Sequence, residues 1–589
     1  MLFRRSLAPT SATRSLRHLR ATFTTPLALS HRIRYFSSSP VTSNDAPNTT
    51  VAIVGGGLSG LSSAFYFLKA LTPEARKSTK VVIFEKEKRT GGWCHSVPVS
   101  LQGGVVTKSE EGHSMIFETG PRSIRPVGLQ GWLTVELAHS LGLTSELITV
   151  PKTAPSAKNR FVYYPSSLTL LPSSLPSSIV AAFTKPIIRS AIPGILLEPF
   201  RPTSSLHTLP DGGDESVDSF FKRRFGKPLA ENMISAMIHG IYSGDTRRLS
   251  VRAVFPGLWE LEREWGSVVK GAMLGGLWRK YKKGAAKSKY RVEVEKQEEQ
   301  VAEIKTRLSN SEEGRELVES MEMASVWGLK GGLQRLTEAI RLKLVEDGVQ
   351  VRTGADGDVT GTQFKDGEWT VTTPTSSFQP TYLITSNPFI LPTSLQPPPI
   401  PSTTVSVVNL AFPSEPALFP PGFGYLIPRT VSPSKNPHHA LGVIFDSDVM
   451  PSLDSSSSAG LTKISMLLGG SYWLDQPPTT PPPSHKTLVG WAMETLRLHY
   501  PETKFPEPVH TLTHTHKNCI AQVPVGYGKE LKKFGDRLRG VGGVAVAGGG
   551  TGTIGVNGAV KGAWEVGTSL GKKVSGEAGE ALTGVEMWR

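Results

Sequence analysis

Cysteine is nearly absent: Cys94 and Cys519 are the only two in 589 residues. Two thiols build neither a disulfide framework nor a cysteine-based zinc site, and they suit a reducing compartment. No run of 18 or more apolar residues occurs, so no transmembrane helix is expected. Acidic residues are missing from the start of the chain, the first being Asp45. Residues 1–36 carry seven arginines (Arg4, Arg5, Arg14, Arg17, Arg20, Arg32, Arg34) and neither lysine nor acid. An Arg- and Ser-rich leader without acids reads as a mitochondrial transit peptide, with Arg34-Tyr35-Phe36-Ser37 as its processing site. Beyond residue 36 there are 58 basic and 50 acidic residues, a net charge of +8. That mild excess permits an anionic substrate or an anionic membrane surface. The basic run Lys280–Lys289 reads as a solvated face, so no nucleic-acid role and no metal site are assigned.

With 38% hydrophobic and 20% charged residues the chain is globular, and its length predicts more than one domain. Val51–Val54 is a short apolar run that enters a glycine cluster. Leu58–Leu71 follows with helical spacing, and Lys80–Glu85 is a second apolar run ending in an acid. This predicts a strand, turn, helix and strand opening a doubly wound α/β domain. Val541–Glu565 repeats the apolar run and glycine cluster near the end, so the domain is expected to be assembled from both ends of the chain. Helices are predicted at Ser216–Phe225, Leu229–Tyr242 and Gly331–Leu344, with strands at Val349–Val351, Trp369–Thr373 and Tyr382–Thr385. Lys270–Glu322 reads as a charged insertion, helical in its second half and solvated. Ile179–Phe200 is apolar but broken by Lys185, Pro186, Arg189 and Pro193, so it suits a membrane surface or a packed helical pair in a cap rather than a crossing.

Gly55-Gly56-Gly57-Leu58-Ser59-Gly60 fits G-x-G-x-x-G. Gly55 permits a tight turn, Gly57 lets a pyrophosphate approach, and Gly60 lets helix and strand pack closely. The helix N-terminus then offers free N–H groups to phosphate. Glu85 closes the next strand, placed to accept hydrogen bonds from a ribose. Arg89 and the Gly91-Gly92 pair follow it, and Gly120-Pro121 makes a rigid turn before Arg122 and Ser123.

The stretch E-x-x-x-R-x-G-G from Glu85 to Gly92 and the turn from Phe117 to Pro126 resemble the amine oxidase and protoporphyrinogen oxidase superfamily of flavoproteins. The protoporphyrinogen oxidase branch is matched further at Lys158–Tyr163, Gly240–Asp245, Trp327–Leu333, Gly422–Pro428, Leu467–Ser471, His516–Ile520, Ala547–Gly550 and Gly555–Asn557. That resemblance implies a Rossmann-like FAD domain assembled from residues 50–150, 326–390 and 521–575. It also implies an α+β substrate domain at 391–520 and a mostly helical membrane-binding cap at 151–325, including the insertion 270–322. Noncovalent FAD would be held by Gly55 to Gly60, Glu85, Lys86, Trp93, Gly120, Pro121, Arg122, Ser123, Val359, Ile554, Gly555 and Val556. Arg160 would pair with a substrate propionate, and Phe423, Gly424, Leu426 and Leu467 would sandwich a tetrapyrrole. The implied reaction is a six-electron oxidation of a porphyrinogen in three two-electron steps, with O2 as terminal acceptor and no side chain identified as acid or base. His514 and His516 read as one face of a strand. The resemblance also implies a peripheral place on the inner mitochondrial membrane and is compatible with a homodimer and a hand-off to ferrochelatase. A coproporphyrinogen III oxidase, an amine or polyamine oxidase, and a nonenzymatic flavin-binding scaffold are the competing readings.

Overall fold

In the computed structural model, residues 49–588 are described, apart from 103–104, 108–114, 211, 282–288, 455–459, 478 and 549–553. The arginine-rich leader and Gly549-Gly550 lie outside those residues. The chain has the expected mixed α/β character. Its first sheet has five parallel strands: Gln350–Thr353, Thr79–Glu85, Thr49–Val54, Tyr382–Thr385 and Val544–Val546, in that spatial order. Consecutive strands in space come from the start, middle and end of the chain. The central strands are apolar along their length because both sheet faces are covered. On one face pack the helices Leu58–Lys69, Gln334–Glu346 and Gly555–Val574, joined in one core by Leu61, Phe67, Leu336, Ile340, Val560 and Val566. On the other, Val82, Phe84, Trp369, Leu531 and Phe534 form a second core.

A second, seven-stranded sheet runs in the spatial order His510–Ala521, Ser402–Pro413, Leu461–Gly470, Ala440–Ile444, Gly424–Leu426, Phe161–Tyr163 and Leu168–Leu170. Its last two strands come from the region that the sequence places in the cap; Phe161 and Val162 pair in parallel with Tyr425 and Leu426. Tyr425, Met466, Leu468 and the helix His485–His499 bury one face of this sheet.

The insertion departs from expectation. Helices cover Val268–Tyr281, Lys289–Leu308 and Glu312–Met323, so the first half is helical as well. Nor is the whole of it solvated. Ile304, Leu308, Leu317 and Met321 are buried in the core of the first domain, and Arg307 pairs with Glu136 at 2.9 Å. Charge density hid these residues because each of the two helices contributes only one narrow i, i+4 stripe. The helix expected from Gly331 begins only at Gln334, since Gly331 and Gly332 have φ of +81° and +88°.

Candidate functional site

The glycine turn is built from close approaches that side chains would forbid. A β-carbon on Gly60 would lie 1.9 Å from the carbonyl oxygen of Gly55. Gly56 N–H donates to Glu85 Oε2 at 2.8 Å, and Glu87 N–H donates to Oε1 at 2.9 Å. Glu85 is thereby fixed beside the turn, and each oxygen keeps a lone pair for a ribose hydroxyl. Gly91 N–H donates to Gly56 O at 2.8 Å, which brings the second glycine loop against the first. Arg89 explains its place in the motif. Its guanidinium donates to Thr90 O, Gly92 O and Cys94 O at 2.9, 2.6 and 3.1 Å and closes the loop on itself. Lys86 and Trp93 are exposed beside it. Val359 packs on the core of Val82, Phe84 and Trp369, two residues from Gly357, whose added β-carbon would meet Glu85 O at 2.4 Å.

Two helix N-termini converge on this edge of the sheet. The Leu58–Lys69 helix starts after Gly57 and the Gly555–Val574 helix after Ile554, neither with a side-chain cap. Their first N–H groups therefore remain available to a ligand. The helices run parallel. A β-carbon on Gly567 would meet Ser63 O and Phe67 N at 2.6 and 2.9 Å, and one on Gly571 would meet Phe67 O at 2.7 Å. From those contacts, the later helix overhangs the earlier by about five residues, roughly 7–8 Å. Gly555, with φ of +76°, and Val556 thus stand beyond the glycine turn. An uncapped N-terminus over a glycine floor, with a second one farther along, fits an extended dinucleotide.

The half-buried Gly120, Pro121, Arg122 and Ser123 form the next wall. Gly120 abuts the Trp93 carbonyl, 2.1 Å from an added β-carbon, and Thr119 N–H donates to His95 O at 3.0 Å. Arg122 is turned into an ion pair with Asp446 at 2.8 Å. Ile124 exchanges two backbone hydrogen bonds with buried Trp327, at 2.9 and 2.8 Å.

One face of the seven-stranded sheet meets this wall. Leu426, Gly442, Leu467, Val407 and His514 are successive cross-strand partners, so they share a face. Gly442 stands between the two leucines, with Leu426 Cδ2 3.0 Å from where its β-carbon would be; this apolar strip, termed the trough, is half-buried at Leu426 and Leu467 while Tyr425 and Leu468 are core. Gly424, two residues from Leu426, has φ of +127°, and an added β-carbon would lie 2.1 Å from Val443 O. At one end Phe423 N–H donates to Asn159 O at 2.9 Å, tying it to Arg160. The Arg160 guanidinium lies 5.9 Å from the Phe423 ring centre. Among the described residues no carboxylate pairs with it, and burial together with Arg125 holds its pKa below the ordinary value. A half-buried cation beside a second cation calls for an anionic ligand.

Sequence reasoning missed the polar side chains behind the wall. Asn409 Nδ2–H donates to Glu118 O at 3.2 Å, and His516 Nε2–H donates to Thr119 O at 2.7 Å. The visible signals are an asparagine amid Val407-Val408 and Leu410-Ala411 and the alternation of His514 and His516, neither of which reveals its partner. Burial pushes the Glu118 carboxyl up to about 7, against hydrogen bonds from Leu333 N–H and Ser96. Burial likewise lowers His95 and His514, and lowers His516 from 6.5 to about 4 despite its bond to Thr119. Folded-state protonation of His516 is therefore harder than unfolded-state protonation. Stability should be complete above the ordinary value and fall as pH drops from about 6.5 towards 4. His516→Gln should flatten the melting-temperature profile over that interval, and an unchanged slope would contradict the assignment.

The family of flavin containing amine oxidoreductases matches residues 58–569. Among characterised relatives, the protoporphyrinogen oxidase of Schizosaccharomyces pombe is 31% identical over 82% of this chain and 90% of its own length. That of Homo sapiens is 30% identical, with the same 82% and 90% coverage. A solved structure from Exiguobacterium sp. 255-15, described as a candidate protoporphyrinogen oxidase, superimposes with a TM-score of 0.61. It is 16% identical and covers 90% of this chain and 99% of its own, so it speaks for the fold.

Proposed function

This chain belongs to the flavin-containing amine oxidoreductase family, and on that premise we propose that it is an FAD-dependent oxidase converting protoporphyrinogen IX to protoporphyrin IX in haem synthesis. The observation that carries the substrate is Arg160: a half-buried guanidinium with no carboxylate partner among the described residues, over Phe423 at the end of an apolar trough. Protoporphyrinogen IX is a broad apolar ring with two propionates, and that shape and charge match the trough and the cation.

The five parallel strands and two uncapped helix N-termini support a Rossmann-like domain for noncovalent FAD. Gly55 to Gly60 would receive the pyrophosphate, Glu85 the adenosine ribose, and Lys86, Trp93 and Val359 the adenosine side. Gly120, Pro121, Arg122, Ser123, Ile554, Gly555 and Val556 would border the flavin. When bound there, FAD supplies a two-electron acceptor that O2 can regenerate with release of H2O2. The chain's own part is placement. Arg160 anchors a propionate, Phe423, Gly424, Leu426 and Leu467 give the macrocycle an apolar seat, and its burial there excludes water. No buried carboxylate or imidazole near the trough needs to act as acid or base in this reading.

The helices Leu175–Thr184 and Pro186–Leu197 and the turn Glu198–Phe200 support a membrane-facing cap. Phe183 and Phe200 are 78% and 83% exposed, with Val180, Leu196 and Leu197 exposed near them. Met273 and Leu274, on the helix that packs against that turn, extend the apolar surface. Among the described residues no helix is long and apolar enough to cross a bilayer. Lys185 and Arg189 lie among these side chains and suit anionic headgroups. With the leader, this favours peripheral attachment to the inner mitochondrial membrane. Flotation on cardiolipin-containing liposomes should be lost when Phe183 and Phe200 are both changed to Glu; retained flotation would move the contact elsewhere.

Porphyrin fluorescence with protoporphyrinogen IX, run beside coproporphyrinogen III and spermine, tests the function. The first should react fastest by kcat/KM. In Arg160→Ala, kcat/KM should fall on the order of 10- to 100-fold with FAD retained, the scale of one desolvated charge-assisted contact. Unchanged kinetics would remove Arg160 from the substrate site.

A further inference from the structure

A line of polar side chains joins the trough to the flavin-side wall. Asn409 and Ser465 are cross-strand partners and stand two residues along their strands from Val407 and Leu467, on the same face as the trough. Both are essentially fully buried. The Ser465 hydroxyl is in hydrogen-bonding contact with Asn409 Oδ1 and with Asp446 Oδ2. A hydroxyl has one proton, so the two acceptors share it. At one end of the line, Asn409 Nδ2–H holds Glu118 O at 3.2 Å. At the other, Asp446 Oδ1 accepts from Arg122 Nη1 at 2.8 Å. The line therefore grips the segment Glu118–Arg122 at both of its ends. Asp446 also follows Phe445, whose N–H donates to Phe423 O at 3.1 Å, and Asp448 Oδ2 accepts from Gly422 N–H at 2.8 Å. The wall that carries Arg160 and Phe423 is thus bonded to the same short helix, Asp446–Val449.

We infer that Asn409, Ser465 and Asp446 are positioning residues that set the flavin-side turn Glu118–Arg122 from the substrate sheet. Their bonds fix the turn in the plane of the trough, so that the ring held by Leu426 and Leu467 and the group bordered by Gly120–Ser123 keep one spacing. The inference rests on the proposed porphyrinogen oxidation for its kinetic consequence, but not for its spectroscopic one. A buried polar network of this kind acts as a unit, because each member is satisfied only through the next.

The test uses the purified full-length holoenzyme and the variants Ser465→Ala, Ser465→Thr and Asp446→Asn. Visible absorption, visible circular dichroism and the midpoint potential of bound FAD are read without substrate. Ser465→Ala and Asp446→Asn should shift the dichroism bands and the potential while FAD stays stoichiometric. Ser465→Thr, which keeps the hydroxyl, should resemble the parent protein. For protoporphyrinogen IX, kcat should fall on the order of 10- to 100-fold, the scale of a small misplacement. KM should stay within about twofold, because the anchoring contacts remain. The double variant Ser465→Ala/Asp446→Asn should be no worse than the worse single one. Unchanged flavin spectra in Ser465→Ala, equal shifts in Ser465→Thr and Ser465→Ala, or additive losses in the double variant would each overturn the inference. A parent protein that binds FAD but leaves the porphyrinogen untouched would instead refute the proposed function, and the spectra would still decide the positioning role.

Discussion

Gly57→Ala should weaken FAD binding on the order of 100-fold, about 2.7 kcal/mol, while the apoprotein melts as the parent does. The two halves of that expectation have separate physical grounds. Gly57 has φ of −76° and ψ of −178°, a conformation alanine adopts freely. The nearest protein atom to an added β-carbon is Gly92 Cα at 3.7 Å, an ordinary contact. Nothing in the protein therefore requires glycine at this position. The requirement comes only from what lies over the helix N-terminus. A methyl group there holds a pyrophosphate away from the N–H groups of the first turn, which have no side-chain cap to replace it. Titration of apoprotein with FAD, followed by flavin fluorescence, measures the loss. Equal affinity in variant and parent would place the pyrophosphate elsewhere. Gly60→Ala is the contrast: its methyl would sit 1.9 Å from Gly55 O, so it damages the turn itself and lowers stability with binding.

Arg224→Met should cost about 3–5 kcal/mol and release the turn Glu198–Phe200, because it strands a buried carboxylate. Arg224 and Glu198 are both fully buried. The guanidinium binds the Glu198 carboxylate and donates to the carbonyls of Arg201, Pro202 and Gly266 at 3.1, 3.1 and 3.2 Å. Glu198 also accepts from Val268 and Val269 N–H, at 2.9 and 3.1 Å, and from Ser267. One ion pair thus holds the turn that exposes Phe200 and the start of the Val268–Tyr281 helix. Removal of the cation leaves the buried carboxylate without its counter-ion, held only by Ser267 and two N–H groups, and takes a donor from four carbonyls, that of Glu198 included. Chemical denaturation gives the loss in stability, and limited proteolysis near residues 198–202 reports local release. A loss below about 1 kcal/mol, the ceiling for a surface pair, would contradict the structural role. Acid should act in the same direction. Although burial opposes it, hydrogen bonding holds the Glu198 carboxyl below its ordinary value, and that of Glu262 down to about 2, through Arg223 and His207. Both pKa values are depressed on folding. Their contribution is complete above the ordinary carboxyl range and is lost as pH falls from about 4.5 towards 2.

The cofactor half of the site is legible in the sequence because its chemistry is local. Gly55 to Gly60 and Glu85 to Gly92 are short segments whose spacing encodes turn, helix start and the acid proposed for a ribose. The first strand, turn and helix fall within two residues of where their pattern places them. The half proposed for the substrate is legible only by resemblance. Leu426, Gly442 and Leu467 become one trough through pairing of strands up to 41 positions apart, and nothing local distinguishes Leu467 from Leu468. Asp446 is least visible of all, since its partners Arg122 and Ser465 lie 324 and 19 residues away. The insertion misled for a related reason. Glutamates and lysines dominate Lys289–Met323, and the four residues that dock it are diluted among them.

The central claim is that the glycine turn and the leucine trough form one oxidase site, with FAD at the turn and a porphyrinogen in the trough. Simultaneous recording of porphyrin fluorescence and H2O2 after protoporphyrinogen IX is added to aerobic holoenzyme tests it most directly. The account predicts enzyme-dependent porphyrin formation with about three H2O2 per porphyrin, as a six-electron oxidation by O2 requires. Porphyrin formed no faster than in buffer, or without peroxide, would contradict it.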